Sequence, residues 1–435
     1  MRREYSDGAG DASGASNNLA FRFTREIFSQ CVAAVDTTHP VIDPDVMTGV
    51  FTALTLRAGQ VLLLCGTVRS KNAAAVALRG LLDLAVVTLT LWAVGGVFFA
   101  RLGDPHPYLP TLSHLLGNDG LRAMSLLPAA MILTAAVLGS TAERTRLMPT
   151  LLFAALVGGV LLPLLLRLMT ELPLGYHSAN SLGLIAFVGG GMAAVVLAKL
   201  VGPRKGKFNR DLSANFVPGH AVVFQFVGLL FLAGWFVAVS PNSLHTILGG
   251  CVGTLAGATY GRVRFEKIDV GLVVSAMIGG LCAGSVASIT PGRGELVIDF
   301  LAHGATAVVA GAVAGVAVPW TLLRLETVHR VDDPAGFSAA YVIGGTVGVL
   351  AHALTYVPTG DGYLTRFAVD AGVWLAAAAA FGGVAWGVGK IFQARGTLRV
   401  SETSEFDGLD LADLDVNAYP DFQQTMIKSH HLRQL

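Results

Sequence analysis

The chain has 435 residues, of which 53% are hydrophobic and only 14% charged, with a formal net charge of +1. A soluble domain carries about 25% charged residues, so this composition, with a mean hydropathy of +0.62, excludes an ordinary soluble globule and points to a bilayer. The near-zero charge gives no basis for a nucleic-acid partner, and the four scattered cysteines, Cys31, Cys65, Cys251 and Cys282, have the spacing of neither a metal site nor a disulfide framework.

In chain order, residues 1–45 form a polar, small-residue-rich extension. It lacks the apolar core that a signal peptide places behind its basic start, and a short helix is expected around residues 24–35. A helix needs about 20 apolar residues to cross hydrocarbon. About eleven segments approach that requirement: 47–66, 73–100, 123–141, 148–169, 181–201, 220–239, 244–261, 270–289, 296–323, 338–357 and 367–392. The 52 glycines suit such a bundle, because small residues let helices approach closely in lipid.

The loops between the segments alternate in charge. "TVRSKN", "ERTR", "GPRKGKFNRD", "GRVRFEK" and "RLETVHRVDD" are basic, whereas "ELPLGYHSAN", "SPNSL" and "PTGDGYLT" are nearly free of Lys and Arg. Lys and Arg stay on the cytoplasmic side. The N-terminus is therefore expected outside and the tail, residues 393–435, in the cytoplasm, with residues 46–392 as the membrane domain. The expected class is all-α, a multi-pass protein of an inner cell membrane. An odd span count suits two five-helix halves of opposite orientation plus one helix, and inverted-repeat transporters place their substrate path between such halves.

Several segments carry a resemblance. "GTVRSKN" (66–72), "TAERTRL" (141–147), "LVGPRKGKF" (200–208), "GWF" (234–236), "ITPGRG" (289–294), "RVDDPAGF" (330–337) and a tail built around "GLDL" and "AYP" occur in one order. Together they resemble the ammonium transporter (Amt/Mep/Rh) family. The resemblance implies eleven helices, a pore through each subunit and a homotrimer in the lipid bilayer; no cofactor and no metal is expected.

The family places a histidine on its fifth and on its tenth helix. A neutral imidazole pair can receive or relay a proton at midplane, where a bare charge is costly. Alignment on "LVGPRKG" puts Phe187 at the first position; alignment on "GG" (344–345) puts Tyr341 at the second, or Ala340 when counted from Phe337. Other family positions also differ. Ala179 stands at the vestibule aspartate, Thr170 at the outer tryptophan, Ala238 at the gate phenylalanine and Ala129 at an outer aromatic. A tyrosine, with a pKa of about 10, is a poor relay near neutrality.

Ionisable groups appear inside the spans instead. They are Arg57, Arg79, Asp83, Arg167, Asp299, His303, His352 and Asp370. Each should face protein or water. Arg79 and Asp83, and likewise Asp299 and His303, are four residues apart and share a helical face, so each couple can pair. One reading makes these groups ion pairs between helices. The other makes a rebuilt pathway, with Asp299 and His303 as an ion or proton site, His352 nearby, and Arg57 or Arg167 opposing a passing cation. His220 and His245 are expected at helix ends, near an interface.

The tail carries Asp407, Asp410, Asp413, Asp415 and Asp421, which can lie against basic loops or stay solvated. Gly408, Asp410 and Tyr419 belong to the motif that in the family couples subunits and answers to P-II-type signalling proteins. The family's usual "HGE" is replaced by Leu414, Asp415 and Val416. Three functions follow from these residues: ammonium or ammonia transport through a pore without twin histidines, a transport-inactive ammonium sensor or regulatory subunit of the same fold, or a channel for another small solute. No nucleophile–base spacing or phosphate loop suggests an enzyme.

Overall fold

The computed structural model describes residues 44–99, 118–171, 180–211, 213–239, 243–287, 296–355 and 363–419. The chain divides into Met1–Met47 and Thr48–Leu435. Of the first unit only the helical turn 44–47 is described, and the helix expected at 24–35 lies outside the described residues.

The main helices are α1 (Pro44–Thr67), α2 (Ala73–Thr90), α3 (Leu127–Ser140), α4 (Leu147–Ala154), α5 (Asn180–Val201), α6 (Val222–Val239), α7 (Ser243–Phe265), α8 (Val270–Ala287), α9 (Leu296–Thr327), α10 (Phe337–Thr355) and α11 (Tyr363–Ala394), with a short helix, Asn118–Ala123, leading into α3. Two short helices of the tail follow, α12 (Glu402–Asp407) and α13 (Leu409–Leu414). A π-helical stretch (Leu91–Gly95) and a further turn (Gly96–Phe99) extend α2, while another π stretch (Ala155–Leu161) carries α4 on to Glu171. Isolated bridges, Thr145 with Arg399 and Phe208 with Ala214, are the only β pairing among the described residues.

Each segment expected from the sequence is occupied by helix, with shifted ends. Helix α9 runs four residues further, to Thr327, and α11 begins at Tyr363. Among the described residues, eight helices are long and apolar enough to cross a membrane, counting α2 and α4 with their extensions. The apolar stretches at Met124–Ser140 and Val222–Gly234 are shorter. Helix α7 has the length, but its glycines, threonines and terminal Arg262 and Arg264 dilute its apolar character.

Small residues set how closely the helices pack. A methyl group added at Gly311 on α9 would lie 2.3 Å from the Gly249 carbonyl oxygen on α7, and one at Gly280 on α8 would lie 2.4 Å from the same atom. Helices α7, α8 and α9 therefore meet backbone to backbone, the contact that replaces hydrophobic drive in lipid. The alanines 283, 287, 310, 314 and 351 continue this layer towards α10.

Four of the five basic loops of the sequence are joined on one face. Arg69 reaches Glu143, Arg204 reaches both Glu143 and Asp332, and Arg144 reaches Asp332. The tail segment that follows α11 joins the same face: Arg146 N–H donates to the Leu398 carbonyl at 3.1 Å and Val400 N–H to that of Arg144 at 3.0 Å.

Candidate functional site

Phe187 on α5 and Tyr341 on α10 meet in the packed interior. Their ring centroids are 5.8 Å apart, and Tyr341 stacks on Phe337 at 5.4 Å. The approach follows from glycine: a Cβ at Gly345 would stand 3.0 Å from Val188, and one at Gly191 would stand 3.0 Å from the Ser338 carbonyl. Both rings are buried, and the Tyr341 hydroxyl has no hydrogen-bond partner among the described residues. This arrangement buries two aromatic rings against each other and offers no imidazole.

Ala129 is buried on α3. Thr170 and Ala238 fall on helical backbone, but their side chains, like all of Ala179, lie outside the described residues.

The intramembrane charges are sorted differently from the spacing rule. Asp83 does not pair with Arg79. It takes the Arg57 guanidinium from α1, and the Thr134 hydroxyl on α3 donates to the same carboxylate oxygen at 2.7 Å. Arg57 also donates to the Thr134 hydroxyl at 2.8 Å and to the Met131 sulfur at 3.2 Å from Nε. Gln60, one turn along α1, donates to the Met131 carbonyl at 3.3 Å. Arg79 faces the other way, donating to the Thr145 carbonyl at 2.7 Å and to Asp413 of the tail at 2.9 Å. Helix geometry allowed the i, i+4 pair; tertiary partners won both members.

His352 on α10 shares a 2.7 Å hydrogen bond with Asp370 on α11. The side chains of Asp299 and His303 lie outside the described residues. Arg167 sits half-buried on the continuation of α4. His245, expected near an interface, is buried against Gly304. Among the described residues, no group of three or more His, Cys, Asp or Glu side chains could hold a metal ion.

The tail is docked by specific groups. The Asp410 carboxylate accepts the Ala74 and Ala75 N–H groups at 3.1 and 2.7 Å, filling the orphan donors at the start of α2. Asn72 accepts the Leu409 N–H at 2.8 Å, and Leu409 and Val400 pack with Ala75. Gly408 bridges α12 and α13 at φ +105°. His220 is held between the Val68 carbonyl at 3.0 Å and the Tyr419 hydroxyl at 2.7 Å, so it is a tail contact and not a bare interfacial residue. Glu405 accepts from Lys205 N–H at 2.7 Å and from Arg399 at 2.8 Å. The acidic tail does meet "GPRKG", through Glu402 and Glu405.

Electrostatics tighten this face. Burial works against the Asp332 carboxylate, yet Arg204 and Arg144 beside it hold it well below the usual carboxylate range. Glu143 behaves alike: burial opposes its charge, and Arg204 and Arg69 outweigh burial and lower its pKa. Burial lowers Arg144 to about 10.

The sequence reading missed Gln60, Met131 and Thr134, ordinary span residues until folding sets them round Arg57. It also missed Asn72 and Arg79 as tail anchors. One signal was available: a lone arginine and a lone aspartate in adjacent spans, each costly unless paired.

A family model described as Ammonium Transporter Family matches residues 46–419. Ammonium transporter Amt2 of Haloferax mediterranei is 27% identical over 427 residues, covering 87% of this chain and 89% of its own. Ammonium transporter Amt1 of Methanocaldococcus jannaschii is 26% identical over 383 residues, covering 84% and 93%. Among solved structures, one described as Sensor Amt Protein superposes with a TM-score of 0.72 at 20% identity, over 86% of this chain and 98% of its own. Mep2 of Saccharomyces cerevisiae gives 0.65 at 19%, over 85% and 90%. At these identities the solved structures speak for the fold.

Proposed function

Because the chain belongs to the Ammonium Transporter Family, we propose that it carries ammonium or ammonia across a membrane through its helical bundle, without a histidine proton relay. The observation that carries transport is the family match over residues 46–419. What supports the altered mechanism is the buried contact of Phe187 with Tyr341 at 5.8 Å, where the family resemblance expects two imidazoles. The protein is a transporter and not an enzyme.

The reading extends to its finer organisation. Eleven spans, as two inverted halves plus one helix, lie within residues 46–392, after an extension at 1–45 and before a cytoplasmic tail at 393–435. The gathering of four basic loops on one face, with the tail docked on it, supports an N-terminus outside and that face in the cytoplasm. The protein works as a homotrimer in the inner cell membrane, where a P-II-type signalling protein would meet the docked tail.

The test is a pair of flux measurements on proteoliposomes. Solid-supported membrane electrophysiology reads charge carried on an ammonium pulse against a potassium control. Stopped-flow recording of internal pH reads ammonia entry. Ammonia entry with little current is the expected result. A sustained ammonium current would remove the neutral-passage mechanism. Silence in both assays, from folded protein, would remove transport and favour a sensor role.

A further inference from the structure

The Arg57 cluster carries more unspent hydrogen-bonding capacity than an ion pair needs. Arg57, Gln60 and Asp83 are all at least 98% buried. Each nevertheless keeps one polar atom with no partner among the described residues: Arg57 Nη1, Gln60 Oε1 and Asp83 Oδ1. These atoms belong to side chains already tied to one another, Arg57 to Asp83 directly and Gln60 through Met131, which both Arg57 and Gln60 touch. Buried polar atoms are normally satisfied, and an exception calls for a cause. Three exceptions in one cluster point to a ligand.

We propose that Arg57, Gln60 and Asp83 form a buried site for one small neutral molecule that accepts one hydrogen bond and donates two or more, with ammonia as its transported occupant. The inventory sets the class. Arg57 Nη1 can only donate, so the ligand must bring a lone pair. Gln60 Oε1 and Asp83 Oδ1 only accept, so it must also bring at least two N–H or O–H bonds. Ammonia has one lone pair and three N–H bonds. Ammonium and potassium have no lone pair and would face the Arg57 N–H groups. The Arg57 and Asp83 charges cancel within the cluster, so an added cation would stand as net charge inside the bundle, where it is costly. Water shares the donor and acceptor pattern of ammonia, so the test must tell the two apart. The identity of the occupant rests on the transport reading above.

The experiment follows thermal unfolding of the purified full chain in detergent against added ammonium chloride. It is run at alkaline pH, where free ammonia is present, and at acid pH, where ammonium alone is, with potassium chloride in parallel. A ligand that binds only the folded state raises Tm with concentration. The expected result is a rise in the alkaline ammonium series alone. Gln60→Leu removes one acceptor and leaves the ion pair, and should shift the response to about tenfold higher ammonia, the factor that about 1.4 kcal/mol represents. Replacing both charges together, Arg57→Met with Asp83→Leu, avoids an unpaired buried ion and should abolish the response in a protein that still folds. A response unchanged in both variants, one given equally by ammonium at acid pH or by potassium, or none in the wild type (water as the sole occupant), overturns the site. Ammonia-dependent stabilisation without flux would keep the site and sink transport; flux without stabilisation would do the reverse.

Discussion

Arg79 on α2 bonds to Asp413 of the tail at 2.9 Å, not to Asp83 one turn along its own helix. Asp83 is held by Arg57 on α1. One helix therefore carries, within two turns, the clasp of the tail and the buried ion pair of the bundle. Asp410 strengthens the first of these by accepting the Ala74 and Ala75 N–H groups at the start of that same helix. Tail docking and the order of α2 are consequently linked, and loosening one should be felt by the other.

Asp413→Ala should open the tail. It leaves the buried Arg79 guanidinium donating to the Thr145 carbonyl. The Asp413 side chain is 38% exposed, so solvent screening reduces the effect to about 1 kcal/mol, roughly fivefold in the open population. Limited proteolysis of the tail, compared with Asp407→Ala as a control, reads that ratio. Equal cleavage rates for the two variants would contradict the clasp.

Gly408→Ala should undock α13 more severely. The residue sits at φ +105°, and an added Cβ would lie 2.6 Å from the Lys71 carbonyl oxygen. Backbone strain of this kind costs about 1–3 kcal/mol. The expected outcome is rapid tail proteolysis with little change in the Tm of the membrane bundle. A tail as protected as the wild type would show that the chain relieves the clash locally.

The loop face around Asp332 should be insensitive to mild acid. The folded-state pKa of Asp332 lies below its ordinary value because Arg204 and Arg144 overcome the opposing effect of burial. Its contribution is therefore fully present above the unfolded carboxylate pKa of about 4 and is lost only as pH falls through the lower folded value. Tm measured against pH for the wild type and for Asp332→Asn should show a constant gap from neutrality to about pH 4, closing below it. A gap that closes between neutrality and about pH 5 would mean that the folded-state pKa of Asp332 is raised above the ordinary carboxylate value, not lowered.

Much of this fold was legible because its cause is local. Apolar length placed the helices, and alternating Lys and Arg placed the loops, four of which the structure joins on one face. The tail's acidic run gave its general partner and included Asp410 and Asp413, which bond to α2, while Glu402 and Glu405, which meet "GPRKG", were not singled out. The site was less legible for the opposite reason. Helix spacing allowed Arg79 to pair with Asp83, yet both partners came from segments far away in sequence. Gln60 and Thr134 carry no mark as span residues; only the fold sets them beside Arg57.

Restoring the missing imidazoles tests whether the family mechanism can be regained. Phe187 and Tyr341 already lie ring to ring on α5 and α10, so Phe187→His with Tyr341→His places two imidazoles side by side in a buried interior. Such a pair can pass a proton that the native rings cannot. A well-placed general acid–base group contributes about 10²–10⁴-fold, and an unoptimised pair should recover a small part of that, about tenfold in ammonium-evoked current. Phe187→His alone faces a tyrosine hydroxyl and should gain little. The two smaller rings leave space beside Phe337, so Tm must be followed to show that the doubly substituted bundle still folds. A folded double variant with wild-type current would show that the relay is not what limits charge movement, leaving the Arg57 cluster as the barrier to examine.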